Sequence, residues 1–276
     1  IMNIEVRVQL SDNEKEAAFA IVKECNQVDQ TYRIPYLDNN YNDNPNMPSF
    51  ILAFVDEALV GFLSIYADEP HEAEVSIYVA PSYRCHGISK DLLTEFEKIS
   101  RRYQLTNIYF ISEANFLDKH SYYWNEYTAS VDDNEIWLEQ NSCDVSLEVN
   151  SDLEVCLADQ SLIQDIARFQ SLAFDSSLDH AEMYARESVL DENCLLYVLR
   201  KNGQICGSCS VDISLGTNYL FGLAIDEIFR GLGLGSHLVK FILNDLHQRN
   251  GRLCQIVVEV QNTGALRLYQ RLGFEK

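Results

Sequence analysis

Glycines alternate with leucines at Arg230-Gly231-Leu232-Gly233-Leu234-Gly235, and Ser236 follows. Glycine lets a backbone approach a ligand closely and take left-handed dihedrals. Leu234, Leu238, Phe241, Ile242 and Leu246 then fall on one helical face, and Gly251 closes the helix. The start of such a helix presents free backbone N–H groups and roughly half a positive charge. Residues 230–236 can therefore cradle a pyrophosphate. Taken alone, the same loop also fits a turn that only packs. Two nucleotide motifs are excluded. The dinucleotide fingerprint needs a glycine where Ser236 stands, and the P-loop needs other residues where His237 and Leu238 stand.

Other reactive side chains form no comparable pattern. Cys206 and Cys209 are spaced as C-x-x-C, but they sit on a predicted strand. Residues three apart on a strand face opposite sides, which argues against metal or redox use. Cys254 has no histidine partner in the sequence, so a cysteine nucleophile is not expected. The six histidines show no metal-ligand spacing, and no metal is expected.

The elements that would position the loop occur twice. Strands 4–8 and 153–157 are followed by Ser11-Asp12-Asn13-Glu14 and Ser161-Leu162-Ile163-Gln164, both capping-box patterns. Apolar strands 50–55 and 59–66 flank Asp56-Glu57, and strands 194–199 and 205–213 flank Asn202-Gly203. A third strand follows at 74–80 and 219–225. Then come Tyr83-Arg84-Cys85-His86-Gly87-Ile88-Ser89 and the glycine loop, each leading into a helix and a strand, 108–112 and 255–260. The shared order predicts two copies of one α/β unit, residues 1–145 and 146–276.

The pattern R/Q-x-x-G-x-G/A after a strand, here at Arg230, resembles the acetyl-coenzyme A loop of the GNAT superfamily of N-acetyltransferases. Downstream, Asn262-Thr263-Gly264-Ala265-Leu266-Arg267-Leu268-Tyr269-Gln270-Arg271-Leu272-Gly273-Phe274 is similar to that family's N-x-x-A-x-x-L-Y-x-x-x-G-F. The resemblance covers residues 150–276 well. The first copy is fainter. It keeps Arg84 and Gly87, but Ser89 replaces the last glycine, Asp118 stands for Ala265, and Glu126-Tyr127 for Gly273-Phe274. The resemblance implies two GNAT-like α/β domains, each a mixed, mostly antiparallel sheet flanked by helices, with a splayed central strand pair.

It also implies an N-acetyltransferase using acetyl-CoA as co-substrate and active in the second copy, the first copy being degenerate. Leu223, Ala224 and Ile225 would pair with the pantetheine arm. Arg230 opens the loop, the backbone amides of Gly231, Leu232, Gly233, Leu234, Gly235 and Ser236 would hold the pyrophosphate, and Asn262 belongs to the same site. Tyr269 matches the acid that protonates the leaving thiolate. Glu259 matches a base position, with Asp212, Asp226 and Glu227 on or near the same strands. A primary amine of a small molecule or peptide would attack directly, without an acyl-enzyme. A coenzyme-sensing module without turnover is the other reading, and succinyl- or propionyl-coenzyme A are other donors.

The family pattern runs on through a final hairpin or strand. The first copy is expected to hold it at 128–131 and 135–139, around Asp132-Asp133-Asn134, and the second copy to lack it. The second sheet is then incomplete, or completed by the first domain or by a neighbouring chain, as in a homodimer.

Bulk properties bound the partners. The chain has 276 residues, a 47% apolar share and a net charge of -21. Residues 1–140 hold 24 acids against 10 bases, and residues 141–276 hold 18 against 11. Such a surface repels nucleic acid and anionic membranes and attracts cationic ligands, although solubility alone also explains it. The acid-bearing loops 29–47 and 173–184 are the expected acceptor side. No apolar run reaches the roughly 18–20 residues of a membrane span. Eight cysteines without an export signal read as reduced thiols of a cytoplasmic protein.

Overall fold

The computed structural model describes residues 2–120, 135–141, 145–147 and 150–276. The chain divides into two compact units, Ile1–Ser130 and Val131–Lys276. No helix among the described residues is long and apolar enough to cross a membrane.

The first unit runs β1 (Met2–Arg7), α1 (Asp12–Asp29), β2 (Phe50–Val55), β3 (Ala58–Tyr66), β4 (Glu72–Val79), α2 (Ile88–Tyr103), β5 (Asn107–Phe110) and α3 (Ala114–Lys119). Ser11 and Glu14 form the expected capping box at the start of α1. Asp56 and Glu57 both take left-handed φ, 46° and 70°, as a two-residue hairpin turn demands. The sheet order is β1-β2-β3-β4-β5. Only the β4–β5 pair is parallel, and its register stops at Val75 opposite Phe110, so the last residues of β4 run free of β5. Ala18, Ile21 and Val22 of α1 pack on one face with Leu52 and Phe62. Leu92, Phe96 and Ile99 of α2 pack on the other with Ile51 and Leu63.

The second unit runs β6 (Glu135–Asn141), β7 (Leu153–Leu157), α4 (Ile163–Ala173), α5 (Leu178–Leu190), β8 (Cys194–Lys201), β9 (Gln204–Asp212), β10 (Asn218–Ile225), α6 (Leu234–Arg249), β11 (Leu253–Glu259) and α7 (Thr263–Arg271). Asn202 and Gly203 turn the β8–β9 hairpin with φ of 50° and 82°. Ile166 and Ala167 of α4 and Ala181 and Ala185 of α5 cover Leu196 and Val198 of β8. Leu238, Ile242 and Leu246 of α6 pack against Leu220, Ile256 and Leu138 on the opposite face.

Three sequence expectations change. Residues 135–139 do not close the first sheet. They lie in β6, which pairs antiparallel with β11 over seven residues in the sheet order β6-β11-β10-β9-β8-β7. Leu138 is 2% exposed and belongs to the second core. The strand place expected to be empty beside β11 is therefore filled from within this unit, and Glu275 adds a bridge to Glu139 on β6. The partner strand at 128–131 lies outside the described residues. Ser161 is not the cap of a capping box. Asp159 caps a 3-10 turn, Gln160–Leu162, by accepting from Ser161 N at 2.8 Å, and α4 grows out of that turn. Finally, Cys206 and Cys209 pack into one apolar cluster. The β8–β9 register shifts beside Leu199, which inserts a residue and cancels the strand alternation.

Candidate active site

The second unit separates its two central strands. β10 and β11 pair in parallel only from Asn218 opposite Cys254 to Leu220 opposite Ile256. Beyond that point β10 continues to Ile225 bonded to β9 alone, so Leu223, Ala224 and Ile225 line the opening. β10 also carries a bulge. Its register against β9 shifts between Phe221 and Ala224, and Gly222 sits there at φ 60°. A bulge turns backbone groups out of the ladder and re-aims them. β4 of the first unit has no such shift against β3. The bulge was not anticipated from sequence. Its signal was an isolated glycine inside a strand pattern.

After β10, the carboxylate of Asp226 accepts from Ile228 N at 3.1 Å and starts a 3-10 turn, Glu227–Phe229. Arg230 is extended, then Gly231 and Gly233 take φ of 76° and 79°. A Cβ at either glycine would meet nothing within 4 Å, so conformation rather than crowding selects them. Gly235 differs, since a Cβ there would come within 3.3 Å of Leu268. The first helical N–H to find a backbone acceptor is His237, bonded to Gly233 O at 3.0 Å. Ahead of it, the N–H groups of residues 231–236 donate to no protein acceptor among the described residues. Six adjacent donors at a helix start form an anion-binding concavity.

The first unit repeats this backbone with other side chains. Cys85 and Gly87 take φ of 64° and 84°. Arg84 and Arg230 are extended alike, and each donates its Nε to a strand carbonyl, Val79 O and Ile225 O, at 3.1 Å. Loss of glycine at Cys85 therefore has not changed the loop's path. The difference lies in the guanidinium. Arg84 forks onto buried Asp29 at 2.8 and 2.6 Å, with Phe116 below it at 5.8 Å. Burial would raise the Asp29 carboxyl, but Arg84 and His120 together hold it below the usual range. Arg230 meets no carboxylate within ion-pair distance among the described residues.

Tyr269 lies on α7, 5% exposed, with its ring edge-on to Phe274 at 5.7 Å. Burial, with a smaller contribution from Cys209, pushes its phenol well above the ordinary tyrosine range, so it stays protonated at neutral pH. Cys209 itself is fully buried, donates to Phe221 O at 3.6 Å, and lies opposite the bulge. Glu259 ends β11, exposed, across from Glu135 on β6. Of the other acids, Asp212 caps Ser214 N at 2.7 Å and Asp226 caps its turn, whereas Glu259 binds nothing among the described residues. Asn262 spends its Oδ1 on Ala265 N, 3.1 Å away, and keeps its amide NH2. Asp175 takes a left-handed φ between α4 and α5, and His180 stacks near Tyr184 at 5.1 Å on the expected acceptor side.

Comparisons with known proteins agree with this geometry. The model of the acetyltransferase (GNAT) family matches residues 15–124 and again 161–274. The ribosomal protein bS18-alanine N-acetyltransferase of Escherichia coli (strain K12) is 28% identical over 85 residues, 31% of this chain and 57% of that enzyme. An uncharacterized N-acetyltransferase of Methanocaldococcus jannaschii is 30% identical over 87 residues, 29% of this chain and 38% of its own length. The chain thus spans about half the length of the curated relatives it matches. Among solved structures, a tandem GNAT protein from the clavulanic acid biosynthesis pathway superposes with a TM-score of 0.72 at 14% identity, covering 100% of this chain and 95% of that one. A GCN5-related N-acetyltransferase from Sphaerobacter thermophilus gives 0.67 at 17% identity, covering 99% and 92%. At these identities the likeness concerns the fold.

Proposed function

Because the chain belongs to the acetyltransferase (GNAT) family, matched once in each unit, we propose that its second unit transfers an acetyl group from acetyl-CoA to a primary amine. The observation that carries this reading is the run of six unbonded N–H groups at residues 231–236, set beside a bulged, splayed strand. Acetyl-CoA supplies an activated thioester. Residues 231–236 hold the pyrophosphate, Arg230 borders it, and the edge at Leu223, Ala224 and Ile225 pairs with the pantetheine arm. Asn262 offers its amide at the mouth of α7.

An alkylamine with a pKa of about 10 must lose a proton before it attacks. Glu259, solvent-facing at the end of β11, takes that proton directly or through water. The amine nitrogen bonds to the thioester carbonyl carbon, and the carbon–sulfur bond breaks. Tyr269 gives its phenolic proton to the departing thiolate and regains one from solvent. Burial suits Tyr269 to this role, because a phenol that stays protonated remains a donor. No covalent enzyme intermediate is needed.

The acceptor is cationic in this reading, a small amine or a peptide amine. Support comes from the net charge of -21 and from Glu135 and Glu259 side by side at the open strand ends. The test is thiol release from acetyl-CoA across an amine panel at rising ionic strength. Release is expected for at least one amine, with apparent KM climbing as salt screens the carboxylates. Coenzyme binding without release for any amine would refute transfer, and a salt-insensitive KM would refute a charge-selected acceptor.

A further inference from the structure

Beside the Glu227–Phe229 turn lies a groove of about 620 Å³, walled by α4, the β8–β9 hairpin and the turn. Arg230 lines it and also opens the glycine loop, so groove and cradle are continuous. The volume suits a ligand fragment of nucleotide size. Two large apolar side chains on its wall are wet, Leu172 at 86% exposure and Ile228 at 73%. Most of its charges are already committed. Arg168 pairs with Asp165 at 3.1 Å, and Asp226 caps Ile228 N. Glu227 is the remaining acid of the lining.

Two guanidiniums are different. Arg230 gives only its Nε, to Ile225 O, and its two terminal nitrogens meet no acceptor among the described residues. Arg200 approaches Glu154 at 3.9 Å, beyond hydrogen-bond length. In a chain with 42 acids and 21 bases, arginines are readily matched to carboxylates. Arg84, the counterpart of Arg230, is matched to Asp29. Two that are left unmatched beside exposed apolar side chains suit a ligand that is both anionic and flat.

We propose that this groove receives the nucleotide end of the coenzyme, with the adenine against Leu172 and Ile228 and the 3′-phosphate on Arg200. The assignment rests on the coenzyme reading above. Arg230 adjoins the pyrophosphate loop, which leaves Arg200, on the hairpin, for the outlying phosphate. A guanidinium fork grips a phosphate through two N–H groups at once.

The test is calorimetric titration of the whole chain with CoA and with 3′-dephospho-CoA. Wild type is expected to bind CoA about tenfold more tightly, a difference of about 1.4 kcal/mol. Arg200→Gln is expected to bind both ligands equally, at the dephospho level, and Arg200→Lys to recover part of the preference. Leu172→Ser, at an exposed position, is expected to weaken both ligands several-fold and keep the preference. Equal binding by wild type, or a full preference retained in Arg200→Gln, overturns the phosphate assignment while leaving coenzyme binding intact. Unchanged affinity in Leu172→Ser overturns the adenine wall. If neither ligand binds folded wild type, the coenzyme reading falls as well.

Discussion

Two arginines 146 positions apart show how one residue type serves two ends. Both anchor their Nε on a strand carbonyl at 3.1 Å, and so both shape their loop. Asp29 then takes the rest of Arg84, whereas Arg230 keeps its terminal nitrogens for a ligand. Tyr269 makes a similar point about burial. A phenol pressed among apolar groups holds its proton more firmly, which suits it to protonate a leaving thiolate. Tyr269→Phe keeps the ring and its contact with Phe274 and removes only the proton donor. It is expected to lower kcat by about 10² to 10⁴ with little change in coenzyme affinity. Wild-type kcat should show no loss of the acid up to the ordinary tyrosine range. Steady-state kinetics and direct titration check both points, and unchanged turnover would remove Tyr269 from the reaction.

At the level of elements, the bulge in β10 separates the two units more sharply than their loops do. Gly222 holds it with a left-handed φ that a β-branched side chain resists. Gly222→Val is expected to force β10 back toward regular pairing with β9. Turnover should fall at least tenfold, while thermal stability changes by only about 1–3 kcal/mol. Amide exchange around residues 221–224 would show the restored ladder, and full activity would refute the bulge's role. Much of this scaffold was legible in the sequence. Helical faces such as Leu234, Leu238 and Ile242 follow from period, and the hairpins follow from two-residue turns that need positive φ. The destination of β6 was not legible. Its alternation marks a strand, but nothing in a strand's own residues names a partner, and the partner here lies 116 positions away at Gln255 and Glu139. The shared orientation of Cys206 and Cys209 was hidden for a related reason, since one inserted residue reverses every parity downstream. The Asp29–Arg84 pair joins a helix end to a loop 55 residues on, again a contact that spacing does not reveal.

For the molecule as a whole, buried titratable groups bound the stable pH range on both sides. Burial raises Tyr78 to about 12, and raises Tyr197 and Tyr269 further, Tyr197 also through its bond to Asp245. An unfolded tyrosine releases its proton near pH 10. Above that pH the unfolded chain sheds protons that the folded chain keeps, so their stabilisation is complete below about pH 10 and is lost as pH rises. Asp29 acts in the opposite sense. Its lowered pKa stabilises the fold above about pH 4, and that contribution disappears on acidification. Melting temperature followed by circular dichroism should therefore plateau between about pH 5 and 9 and decline on either side. A flat profile to pH 11 would contradict the tyrosine assignment. The placement of β6 has a consequence in time as well as in space. During synthesis this strand emerges before every other element of its unit, and β11, its partner, is the last strand of that sheet to appear. Until then Ile136 and Leu138 have no strand of their own to join, and closing so long a loop is slow. A nascent chain paused before residue 253 would carry an unpaired, partly apolar edge, the kind that recruits chaperones or neighbouring nascent chains.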